Sequence, residues 1–304
     1  MSILAVGSIA LDSLETPFGK REEVPGGSAT FFSTAASFFG PVQIVGVVGE
    51  DFPEEHLDFL RSRGVDLGGV VRAKGPTFRW KGRYGYDLNE AHTLETHLNV
   101  FGSFDPELPP ELRRPDILFL GNIHPELQAK VLDQVEVRPR LVAADTMNFW
   151  IEGTRPQLLQ VLERVDMLFV NDAEARQLAG EHNIIKAARA ILRMGPKRAV
   201  IKRGEYGALL FEDGHVFAAP AYPLEDVFDP TGAGDSFAGG FLGYLAHRRR
   251  ELSMDAMRQA CIAGATMASF CVEKFSLERF RELREEEIAQ RLAAFKALTD
   301  FVEL

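Results

Sequence analysis

The residues best placed to do chemistry are concentrated in Asp229-Pro230-Thr231-Gly232-Ala233-Gly234-Asp235-Ser236-Phe237, followed by small residues through Gly239, Gly240 and Gly243 toward His247 and Arg248. That run predicts a helix opened by a glycine-rich turn. Such a turn leaves backbone N–H groups unpaired at the positive end of the helix dipole, where they bind phosphate or a developing oxyanion. Asp235 would sit beside such a hole, in the first turn of the helix. A carboxylate there can accept the proton of an attacking hydroxyl, so hole and general base come from one turn. The alternative is that Thr231 and Asp235 cap a helix whose glycines allow close packing on a sheet. Spacing alone leaves both readings open.

Other nucleotide and hydrolase patterns are missing. There is no GxxxxGK[ST], and the triplet begun by Gly232 and Gly234 is completed by Phe237, not glycine, so P-loop and dinucleotide-dependent oxidoreductase readings lose support. No protein-kinase HRD and DFG pair, GxSxG elbow or HExxH occurs.

The elements that must hold the turn read as alternating α/β units. Residues 3–10 form a short apolar run, read as a buried strand that leads through Asp12 into a polar, turn-rich segment at 15–27. Residues 28–39 have helical spacing, Gly40-Pro41 stops them, and residues 42–48 form the next strand. Residues 53–63 are amphipathic and end at Gly64. Phe78, Trp80, Tyr84 and Tyr86 then share one parity and Arg79, Lys81 and Arg83 the other, which predicts a strand with aromatic and basic faces. With residues 93–101 it makes an antiparallel hairpin, either a solvated edge or a lid over a ligand. Strands at 117–120, 141–144, 167–170 and 199–202 alternate with helices at 126–135, 156–164, 174–180 and 184–194. A hairpin-like segment at 207–218 follows, and the rest is helical. Continuous apolar strands between helices imply a mainly parallel sheet covered on both faces, in one large α/β domain over residues 1–304 with a small β lid.

Composition agrees with an ordinary globular chain: 304 residues, 46% hydrophobic and 26% charged. Thirty-four basic against 44 acidic side chains give a net charge of -10, which disfavours nucleic acid and acidic membrane surfaces as partners but leaves room for a small anionic ligand. Cys261 and Cys271 lack metal-site or redox spacing and read as reduced core residues. The N-terminal apolar stretch is too short to span a bilayer and lacks a cleavage pattern, so a cytoplasmic location is expected.

The sequence resembles the ribokinase-like, or PfkB, family of carbohydrate and nucleoside kinases. The long pattern from Asp229 to Gly240 carries the likeness, with a looser one at Gly26-Gly27-Ser28-Ala29 and Val45-Gly46-Val47-Val48-Gly49-Glu50-Asp51. Asn171-Asp172-Ala173-Glu174 and Lys202-Arg203-Gly204-Glu205-Tyr206-Gly207 extend it along nearly the whole chain. The resemblance implies that Asp235 is the base of an ATP- and Mg2+-dependent phosphoryl transfer and that Gly232, Ala233 and Gly234 stabilise the transferred group. It places Asn171 and Glu174 near magnesium and the phosphates, largely through water, with Lys202, Gly204, Gly207 and Thr231 on the nucleotide side. On the acceptor side it implies Asp12 as the hydroxyl-binding carboxylate, Gly26 and Gly27 as a hinge, and lid segments at 13–25 and 76–102 that in this family often meet in a homodimer.

Three features bear on the acceptor. Phe31 stands where many members place an asparagine that contacts substrate. Residues 145–150 lack the arginine of fructokinase-like members, offering Thr146, Asn148 and Trp150 instead. His97 and His124 are further candidate contacts, each with a structural alternative. A sugar is the first expectation and a ribonucleoside the alternative. A non-catalytic ligand sensor is a third reading, which intact Asp235 opposes. A monovalent cation such as K+ near Asp229 is a further implication of the family pattern.

Overall fold

The computed structural model describes residues 1–212, 214–248 and 252–300. Its centre is a nine-stranded sheet. Strand β1 (Ile3–Val6) is short and wholly buried, with Ile3 and Ala5 facing one core and Leu4 and Val6 the other. That two-sided burial is why the strand reads as a continuous apolar run. The expected single strand over 3–10 is in fact two. The chain leaves the sheet at Gly7, where a methyl group would lie 2.5 Å from Ser28 Oγ, and re-forms as β2 (Ala10–Thr16) in a second sheet. The turn-rich stretch is likewise a strand, β3 (Gly19–Gly26), paired antiparallel with β2.

Helix α1 (Ser28–Ser37) returns the chain to β4 (Val42–Gly49), parallel to β1, and α2 (Glu54–Ser62) leads to β5 (Val65–Ala73) at the sheet edge. The sequence hides β5, because Gly68 and Gly69 interrupt its alternation. Gly69 has a packing reason, since a methyl there would lie 2.5 Å from Val45 Cγ2. Strands β6 (Phe78–Tyr84) and β7 (Ala91–His97) form the expected hairpin, and β6 adds in parallel to β2, giving a four-stranded sheet in the order β3-β2-β6-β7. Residues 99–101, expected to continue the strand, belong instead to a 3-10 turn over Asn99–Ser103.

The second half alternates β8 (Ile117–Leu120), α3 (Pro125–Gln134), β9 (Leu141–Asp145), α4 (Asn148–Gly153), α5 (Arg155–Leu162), β10 (Met167–Asn171), α6 (Asp172–Ala179), α7 (Ile184–Leu192) and β11 (Arg198–Lys202). An antiparallel pair, β12 (Ala208–Glu212) and β13 (His215–Ala219), completes one edge. Helices α8 (Ala233–Arg248), α9 (Met254–Cys271), α10 (Glu278–Glu282) and α11 (Glu285–Thr299) end the described chain. The large sheet runs β13-β12-β11-β10-β9-β8-β1-β4-β5. One face is covered by residues of α1, α8 and α9 and the other by α3, α5, α6 and α7. Strand order reverses beside β1, and in such sheets the crevice at the carboxyl ends of the strands is where ligands bind. Asp145, Asn171 and Lys202 are the last residues of their strands at that end. Both cysteines are buried and free. Among the described residues no helix is long and apolar enough to cross a membrane.

Candidate active site

The glycine turn forms as its composition requires. Gly232 has φ +74°, a conformation costly for other residues, and a methyl there would lie 2.3 Å from the Phe31 ring. Ser236 N–H donates to Gly232 O at 2.8 Å and closes the first helical turn. Ala233 departs from the expected trio: its N–H donates to Pro230 O at 3.1 Å, so it is already engaged. Among the described bonds no backbone carbonyl accepts from Gly232 or Gly234.

Asp235 sits half-buried in the first turn. Loss of hydration and the charge of Asp145 push its pKa up to about 7, while Lys202 and its own backbone N–H oppose the rise. Asp12 faces the same cluster from β2, not from the end of the first strand. It is 5% exposed, and burial, Asp229 and Asp235 push it up to about 8 against a hydrogen bond from Gly27 N–H. Gly26 makes room for this carboxylate, since a methyl would lie 1.9 Å from Asp12 Oδ2. Gly27, at φ +92° and just before α1, lies so close to Ser8 that a methyl would sit 2.5 Å from its carbonyl oxygen. Ser8 and Ser28 exchange N–H to Oγ bonds of 3.1 and 3.0 Å and fix the bend.

Asn171 and Glu174 form a capping box on α6: Glu174 N–H donates to Asn171 Oδ1 and Asn171 N–H to Glu174 Oε2, each at 2.7 Å. Asn171 Nδ2 and Glu174 Oε1 have no hydrogen-bond partner among the described residues. Burial raises Glu174 to about 7, opposed by Lys202 and reinforced by Asp145 and Asp235. Lys202 remains charged, because the carboxylates of Asp145, Glu174 and Asp235 outweigh its loss of hydration. Its partner Asp145, at Nζ to Oδ2 2.8 Å, had no role assigned from sequence. Fifty-seven positions separate the two, so no local pattern links them.

The remaining expected residues are placed less directly. Phe31 is 1% exposed and packs on Gly232, so it walls the turn from behind. Thr231 donates through its hydroxyl to Tyr84 and through its N–H to Asp229 Oδ1. Asp229 is fully buried, and its other oxygen accepts from Ser276 N–H at 2.9 Å. Gly204 carries Asn89 of the β6–β7 connection, whose Oδ1 would lie 1.7 Å from an added methyl. Gly207 closes a tight turn, 2.1 Å separating such a methyl from Ala219 O. His97 pairs with Glu95 on the exposed β7, whereas His124 caps α3 and packs edge-on against Trp150. Tyr86 lies beyond β6 and is 95% exposed. Trp150 Nε1, from α4, donates to Asn122 Oδ1 just after β8 at 2.9 Å.

The chain is similar to known proteins over most of its length. The model of the pfkB family carbohydrate kinases matches residues 5–281. A cytidine kinase of Thermococcus kodakarensis is 33% identical over 258 residues, 83% of this chain and 91% of that protein. An Escherichia coli protein of the ribokinase type, solved with ATP and Mg2+, superposes with a TM-score of 0.77 at 19% identity, covering 96% of this chain and 99% of its own. The nucleoside kinase of Burkholderia thailandensis solved with inosine gives 0.73 at 21% identity, covering 98% of each chain.

Proposed function

The chain belongs to the pfkB family of carbohydrate kinases, and from that premise we propose that it transfers the γ-phosphoryl group of ATP to a hydroxyl group of a ribonucleoside, a free sugar being the alternative acceptor. The observation that carries this is the enclosure of Asp12 in one electrostatic cluster with Asp235 at the mouth of the glycine turn. At neutral pH Asp12 is largely protonated, so it donates one hydrogen bond and accepts another, which suits a vicinal diol. Asp235, with its pKa near 7, takes the proton of the attacking hydroxyl. The N–H groups of Gly232 and Gly234 face the charge that develops on the transferred group. Asn171, Glu174, Lys202, Gly204 and Gly207 bound the nucleotide side. The described residues contain no cluster of three metal-ligating side chains. On the family pattern Glu174 would hold Mg2+ through water, the ion neutralising phosphate charge when bound.

The diol chemistry serves sugars and ribosides alike. The cytidine kinase similarity favours the riboside. ADP formation from Mg-ATP across pentoses, hexoses, their phosphates and ribonucleosides tests the proposal, with Asp235→Asn as control. Response to a free sugar and none to ribosides would sink the nucleoside version. Two further parts are separable. Activity in potassium against tetramethylammonium salts reads a cation at Asp229, and light scattering reads a homodimer through the small sheet, whose outer strand β7 is exposed along its length.

A further inference from the structure

Strand β10 lies between β9 and β11, and the Lys202 side chain spans its end to reach Asp145, which is 5% exposed. The same ammonium abuts the anion-hole turn: a methyl group at Gly234 would lie 2.8 Å from Lys202 Nζ. Asp145 is itself anchored. Its carbonyl accepts from Gln128 Nε2 at 3.1 Å, and that amide also donates to Gly121 O at 2.9 Å, tying the ends of β8 and β9 together. Three carboxylates, Asp145, Glu174 and Asp235, compete for one flexible lysine, and Asp145 alone hydrogen-bonds it.

We propose that Asp145 is a positioning residue for phosphoryl transfer, holding the Lys202 ammonium against Gly234, beside the free N–H groups, and away from Asp235. This rests on the reading of Asp235 as the base. A lysine paired directly with Asp235 would hold that carboxylate ionised but weaken it as a proton acceptor. Drawn toward Asp145, the cation instead stands where charge develops on the transferred group, and its placement needs no rearrangement during the reaction. The charged and titratable groups facing Asp235 are Asp145 from β9, Lys202 from β11, Glu174 from α6, Asp12 from β2 and the Cys271 thiol from α9.

The test is the pH profile of kcat/KM together with kcat and KM for Asp145→Asn, Lys202→Met and Asp235→Asn. For Asp145→Asn, kcat is expected to fall on the order of 100-fold with little change in KM for ATP. Its acidic limb should move to lower pH, because a negative charge facing Asp235 is gone. Lys202→Met should move the limb to higher pH. Wild-type kcat in Asp145→Asn, or a lowered kcat with an unmoved limb as packing damage alone would give, overturns the proposal. If Asp145→Asn does not fold, Lys202→Met decides: an upward shift supports the pair and an unmoved limb refutes it. Wild-type turnover in Asp235→Asn would overturn the base assignment and this proposal with it, whereas failure of Asp145→Asn alone leaves the base assignment standing.

Discussion

The hydroxyl of Thr231 donates to the phenolic oxygen of Tyr84 at 3.1 Å, joining two residues 147 positions apart. Tyr84 is the last residue of β6 and is 8% exposed, while Thr231 immediately precedes the glycine turn. Burial pushes the phenol well above its usual pKa, so it stays neutral and keeps this bond across the working pH range. The small sheet is thereby tied to the glycine turn that opens α8.

Tyr84→Phe removes that link and leaves the ring in place. A single neutral hydrogen bond contributes about 1 kcal/mol. The variant should fold, with kcat/KM for the acceptor reduced roughly five-fold. Steady-state kinetics and a melting curve check this, and unchanged acceptor kinetics would show that the bond has no part in assembling the cleft.

Asp235→Asn removes the proton acceptor while keeping shape and most hydrogen bonding. Turnover is expected to fall by about 10²–10⁴-fold. Calorimetric binding of ATP should change little, because the nucleotide side is bounded by other residues. Loss of ATP binding in step with turnover would point to a collapsed site instead of a missing base.

The free protein should become less stable as pH rises through the neutral range. Asp12, Asp235 and Glu174 have folded pKa values of about 8, 7 and 7 against 3.8, 3.8 and 4.5 unfolded. Between those limits the folded state retains protons that the unfolded state releases, so unfolding free energy falls with pH. Asp12→Asn removes the largest of these penalties. Its melting temperature should exceed wild type by a few degrees at pH 8.5 and much less at pH 5. Equal differences at both pH values would contradict the raised Asp12 pKa.

Two alanine substitutions in the same turn should behave differently. Gly232→Ala meets both a positive φ and the buried Phe31 ring, and should cost roughly 2–4 kcal/mol of stability. Gly234→Ala meets only the end of the Lys202 side chain, which can swing aside. Its loss should appear in kcat, by roughly ten-fold, with denaturation nearly unchanged. Similar denaturation midpoints for both variants would refute the distinction.

Much of the architecture was legible from sequence because the controlling interactions are local. The break between the first helix and the strand after it needs only Gly40 and Pro41. Parallel strands such as β8 and β10 are buried on both faces, so their apolar runs announce them. Strand β5 escaped notice because its glycines break the pattern, and β2 because an apolar run does not say which sheet it joins. Phe31 was read as a substrate-facing residue from its place after Gly26-Gly27. The structure packs it on Gly232, a contact made between α1 and the turn before α8.

By itself, then, the sequence determined the α/β alternation and the glycine turn that opens α8 with Asp235 in its first turn, since each depends on side-chain patterning, dihedrals and hydrogen bonds within a few residues. Tertiary structure alone decided that Asp12 stands on a strand of the second sheet, that Asp145 and not Asp235 hydrogen-bonds Lys202, and that Tyr84 reaches Thr231. Those pairings follow from strand order and register, which bring distant residues together and which spacing along the chain does not encode.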